Sequence, residues 1–117
     1  MDDSTKKLLL AHCRIATIYS LSAISEAEAA RSLAQDTGQY CVAIDLYNSA
    51  HERYLAAENS LEDALEVLEP HKMVEPPLVK DVRDVLSRAS FSVDRSSATI
   101  DRLMYNSRLE ADQNEPE

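Results

Sequence analysis

Three histidines, two cysteines and a column of glutamates are the side chains of this sequence that chemistry would use first. Imidazole and thiolate together would point to zinc, and carboxylates repeated along a helix to a di-metal centre. The histidines stand at positions 12, 51 and 71, on three separate segments, without the HExxH or HxxxH spacing that sets two imidazoles on one helix face. His12 and Cys13 are chain neighbours, so on a helix they point about 100° apart and do not easily share one ion. Glu58, Glu62 and Glu66 recur every fourth residue and line one helix face. A di-iron bundle also needs Glu-x-x-His on facing helices, and the third helix offers no matching pair. A solvated acidic face is the simpler reading of that column. The sequence contains no GxSxG, no glycine-rich phosphate loop and no setting for a catalytic cysteine. These residues predict no enzyme, no cofactor and no metal.

The elements that would position any site are helices. The chain has 117 residues, enough for one domain, with one glycine, four prolines and no tryptophan. Hairpins and phosphate loops need glycines, so this scarcity argues against sheet folds. Alanine occurs 15 times, and at 44% hydrophobic residues the chain is too apolar to be disordered. Spacing predicts three long helices, over about 4–35, 39–69 and 78–109. On the first, Ala16, Ala23, Ala27, Ala30 and Ala34 form a stripe of small residues that admits a close neighbour, with Ile15, Ile18 and Leu33 supplying bulk beside it. Asp3 or Ser4 can cap its start, and Gly38 sits where a helix end needs a left-handed residue. On the second, positions 40, 43, 47, 50, 54, 57, 61, 64 and 68 read Tyr, Ala, Tyr, Ala, Tyr, Ala, Leu, Ala, Leu. This is a heptad seam alternating large and small, as in a coiled coil. Pro70 closes that helix, the link His71–Glu75 follows, and Pro76-Pro77 opens the third helix. The third seam runs Val79, Val82, Leu86, Ala89, Val93, Ser96, Ile100, Leu103, Ser107. The expected fold is all-α, an elongated antiparallel up-down-up three-helix bundle over 1–109, followed by a disordered acidic tail at 110–117.

The net charge of −9 is unevenly spread. Residues 39–69 hold seven acids and one base, whereas residues 78–109 hold six bases and four acids. Without a concentrated positive surface the chain is not expected to bind nucleic acid, and an anionic membrane would repel it, so membrane contact would be indirect. Cys13 and Cys41 lack CxxC spacing and are read as two buried thiols in a reducing compartment. The apolar stretch Leu8–Ile24 has an acidic start and a charged core, unlike a signal peptide, and Arg14 would lie near mid-bilayer in a span. It reads as a helix buried on more than one side, and its apolar excess would suit a second copy or a partner helix.

After the core is assigned, the third helix retains unexplained residues. Leu78 and Val85 lie to one side of the seam, and Phe91 and Tyr105 point outward. Arg88, Arg95 and Arg102 recur every seventh residue as a basic ridge, either pairing with acids of the second helix or accepting an acidic partner.

The segment Ala27-xx-Ala30-xx-Leu33-Ala34-x-Asp36-x-Gly38-x-Tyr40-xx-Ala43-Ile44-x-Leu46-Tyr47-xx-Ala50 resembles the first turn of MIT (microtubule-interacting and trafficking) domains. Leu86-Ser87-Arg88-Ala89 is similar to the L-x-R-A of their third helix, although the acid that often follows is Ser90 here. The resemblance implies a cytoplasmic, non-enzymatic adaptor for trafficking or autophagy, recruited to endosomal or autophagic membranes. MIT domains grip motifs from ESCRT-III tails and related proteins. They take an amphipathic helix between the second and third helices, or an extended strand between the first and third. The family's groove leucine maps onto Leu86. The expected partner-binding residues are Val82, Val85, Leu86, Arg88, Ala89 and Phe91, contacted by an amphipathic helix or peptide motif of a partner protein. The alternative expectation is a self-associating assembly subunit, a homodimer through the first helix.

Overall fold

A computed structural model describes residues 2–71 and 74–114. Among them there is no strand. The chain forms α1 (Asp3–Thr37), α2 (Tyr40–Leu68), a single 3-10 turn over Glu69–His71, and α3 (Pro77–Asn114). The three helices pack together into a rod 74 × 19 × 16 Å.

Local chemistry fixes the helix ends. Asp2, one residue before the expected caps, accepts a 2.7 Å hydrogen bond from the Thr5 amide, satisfying a donor that the first turn leaves open. Bonding to the Thr5 hydroxyl and amide holds the Asp2 carboxyl below its ordinary pKa. Gly38 takes the left-handed conformation (φ 64°) that stops α1, and the Thr37 hydroxyl donates to the Leu33 carbonyl. The break between α1 and α2 therefore falls at 38–39, where the expected helices ended near 35 and resumed near 39. Pro77 is the first residue of α3, where its missing N–H costs nothing, and the amides of Val79 and Lys80 donate to the Pro76 carbonyl. Arg83 donates to Glu75 across this start. Two residues of the link expected at His71–Glu75, 72 and 73, lie outside the described residues. The expected end of the third helix is passed. Glu110 to Gln113 contain no breaker, so α3 runs on to Asn114; residues 115–117 of the expected tail lie outside the described residues.

Three apolar clusters run along the rod. The first joins Leu9, Cys13 and Ala16 of α1 to Leu61, Ala64 and Leu68 of α2 and Val79 and Val82 of α3. The second joins Ala23 and Ala27 to Ala50 and to Ala89 and Val93. The third joins Ala30 and Ala34 to Ala43 and Ile100. All five alanines of the α1 stripe are buried, as are all four alanines of the α2 seam, while Tyr40, Tyr47 and Tyr54 are half-buried and pack against the second and third clusters. Such small side chains let the helices approach closely, hence the slim cross-section. The α3 seam is buried or half-buried from Val79 to Leu103 and reaches solvent at Ser107. Buried Ser96 satisfies its hydroxyl by donating to the Val93 carbonyl at 3.1 Å.

Three residues fall elsewhere than expected. Ile15 and Ile18 lie on the outer face of α1 rather than beside the alanine stripe, because the stripe already fills the inward arc. Cys41 is exposed at the start of α2, whereas Cys13 is buried and desolvation raises its thiol pKa. α1 packs most extensively on α2, next on α3, and the α2–α3 contact is the thinnest. By length and composition alone α1 is apolar enough to cross a membrane. Here one face of it contributes to all three core clusters.

Candidate partner-binding groove

The six expected binding residues separate into three environments. Val82 (1% exposed) and Ala89 (0%) are core residues of the first and second clusters. Their side chains meet α1 and α2 residues within those clusters, which leaves no surface for a ligand. Val85 and Leu86 are half-buried, and Leu86 packs against the first cluster. Arg88 and Phe91 are exposed and line an open hollow of about 550 Å³ between α1 and α3.

That hollow has a physical origin in short side chains. Ala27 and Ser32 on α1, and Ser87 and Ser92 on α3, stand along the facing walls where longer residues would close the gap. Phe91, 66% exposed, forms part of the α3 wall. Arg88 and Arg95 lie three residues before and four after it, one turn away on either side, and so share its face. Arg31 and Glu28 line the α1 wall together with Ile24. The groove thus combines three guanidinium groups, one carboxylate, three hydroxyls and an aromatic ring.

The arginines are available. Among the described residues the ion pairs are Arg53–Glu26, at 2.6 Å between α2 and α1, and Arg83–Glu75. Arg88, Arg95 and Arg102 make no such pair with the acids of α2. Ile24, Arg31 and Ser32 escape sequence reasoning, because which face of α1 meets α3 depends on how the helices are arranged around one another. The one signal is weak: Arg31 is the lone Lys or Arg between Arg14 and Arg53.

The other chemically suggestive residues do not converge. Among the described residues no group of three His, Cys, Asp or Glu side chains is placed to hold a metal ion. His51 is exposed and stacks on Tyr47 at 6.2 Å, His71 lies in the 3-10 turn, and Glu62 and Glu66 are solvent-exposed on α2.

No family model matches the chain, and comparison with curated proteins and with solved structures gives no match either.

Proposed function

We propose that this chain is a non-enzymatic protein-interaction module, an up-down-up antiparallel bundle of MIT-like design, that seats a segment of a partner protein in the α1/α3 groove. The topology is supported by the clusters: the start of α1 meets the end of α2 and the start of α3, while the end of α1 meets the start of α2 and the later part of α3. The binding reading is carried by Phe91, a large apolar ring held in solvent between Arg88 and Arg95 above a recess. Cations, hydroxyls and a ring bind and orient a polypeptide; nothing in the groove need react with it. The MIT-like sequence pattern makes cytoplasmic trafficking and autophagy proteins the first partners to test.

Phe91→Asp tests the groove. Because the ring is mostly in solvent, helicity and melting should be unchanged, while affinity for the partner captured from source cells should fall roughly thirtyfold, as for a central aromatic anchor. Unchanged capture would remove the α1/α3 groove. Leu86→Asp is a poorer probe, since Leu86 also packs on the first core cluster.

A second reading, self-association through α1, is favoured by Leu8, Ile15, Ile18 and Leu21. All four are at least two-fifths exposed on the outer face of that helix. Sedimentation equilibrium at micromolar concentration is expected to give a dimer on this reading, and Leu8→Asp with Ile15→Asp, two exposed positions outside the α1/α3 groove, should return it to monomer. A monomeric wild type removes it.

A further inference from the structure

Resting on the groove reading above, we infer that the occupant is an acidic amphipathic helix of a partner protein, with two carboxylates seven residues apart and an apolar residue midway. Arg88 and Arg95 are separated by two helical turns, about 10.5 Å along α3 at 1.5 Å per residue, with Phe91 between them. A ligand helix lying along the groove repeats the same geometry. Residues at i and i+7 return to one face about 10.5 Å apart, and i+3 or i+4 falls between them against the ring. An extended strand does not. At about 3.3 Å per residue that distance is three residues, and residues three apart point to opposite sides of a strand.

The polar groups of the groove agree. Each guanidinium can take a carboxylate through two parallel N–H donors, and Ser87 and Ser92 add hydroxyl donors on the same wall. Arg31 extends the positive wall onto α1. Glu28 beside it marks the one corner where the ligand must present a neutral or basic residue. The net charge of −9 opposes an acidic ligand at long range. At physiological salt the Debye length is about 8 Å, so the groove's own groups decide the final approach. The same two helices form a second hollow of about 360 Å³, lined by Leu10, Cys13, Arg14, Thr17 and Ile18 of α1 and by Leu78 of α3. From Leu10 to Ser32 is about 33 Å along α1, the length of a helix of about 22 residues. Such a ligand would place an apolar end on Leu78 and its acidic part on the arginines.

The experiment uses three synthetic 22-residue helical peptides, identical except for a Glu, Gln or Lys pair at i and i+7. Each is titrated against the full chain at 0.15 M salt by fluorescence anisotropy. The Glu peptide is expected to bind roughly five- to tenfold more tightly than the Gln peptide, and the Lys peptide most weakly, at two- to fivefold per exposed ion pair. In the double variant Arg88→Glu/Arg95→Glu the order should reverse in favour of Lys, with circular dichroism unchanged because both positions are exposed. Equal binding of the Glu and Gln peptides, both lost in Phe91→Asp, would overturn the acidic ligand and keep the groove. Preference for Lys in the wild type, or no binding by any peptide, would overturn the inference, while Phe91→Asp capture tests the groove separately. A concentration-dependent dimer abolished by the double charge reversal would identify the acidic α2 of a second copy as the occupant and overturn the partner helix.

Discussion

Val82→Asp is expected to unfold the rod at neutral pH. The side chain is 1% exposed and sits in the first cluster among Leu9, Cys13, Ala16, Leu61, Ala64, Leu68 and Val79, none of which can neutralise a carboxylate. Burying an unpaired charge costs several kcal/mol, a large share of the roughly 5–15 kcal/mol that holds a typical domain together. The carboxyl would take up a proton rather than stay ionised, so its folded pKa would lie above the unfolded value of about 3.9. The folded state then binds more protons than the unfolded one between those two pKa values. Stability must therefore fall as pH rises through that window and recover as pH drops towards 4. Urea titrations at pH 7 and pH 4.5, followed by circular dichroism, should show a smaller deficit against wild type at the lower pH. Val82→Ala separates charge from volume, because it removes two methyl groups and should cost about 2 kcal/mol at either pH. A Val82→Asp variant that melts like wild type would mean that Val82 faces solvent and would return it to the binding surface.

Val82 also shows where sequence reading stops. Its place on a three-and-four seam is plain from Val79, Val82, Leu86, Ala89 and Val93, and every one of these is buried or half-buried. A seam read from one helix says which face is inward. It does not say which of the other two helices that face meets, nor how much of a groove remains beside it. Val82 and Ala89 satisfy the helix's need for a core and a ligand's need for a groove equally well on paper. Close approach of α3 to the alanine-rich α1 and α2 gives them to the core. Phe91 carried the opposite signal, because a large apolar residue off the seam has no inward partner, and it is exposed as its position implies. The ridge of Arg88 and Arg95 was legible as a ridge. Its fate was not, since the acids of α2 were near in composition but do not reach it. Arg31 joins them only because α1 lies alongside α3, a fact of packing that one-dimensional periodicity does not contain. Ile15 and Ile18 make the same point in reverse. Their hydrophobicity suggested core, but an arc of alanines already fills the inward side, and bulk is displaced outward.

Those alanines make the second large prediction. Ala50 is 0% exposed and shares the middle cluster with Ala23, Ala27, Ala89 and Val93, so four of that cluster's five buried residues are alanine. Helix axes separated by bulky contacts stand up to about 10 Å apart, and alanine layers bring them towards about 8 Å. Ala50→Leu adds three carbons where the packing leaves no room. The helices must part or the new side chain must leave its rotamer, at about 1–3 kcal/mol or more. Ala29→Leu, on the exposed side of α1, controls for the residue type and should stay within about 0.5 kcal/mol of wild type. If crowding is the cause, removing volume elsewhere in the cluster should relieve it. Val93→Ala costs stability alone, yet the double variant Ala50→Leu/Val93→Ala should be more stable than the sum of the two losses by at least about 0.5 kcal/mol. Thermal or urea melts of the four variants close the cycle. Strict additivity would mean that α2 and α3 do not share a crowded layer, and the thin rod would then owe its width to something other than its alanines.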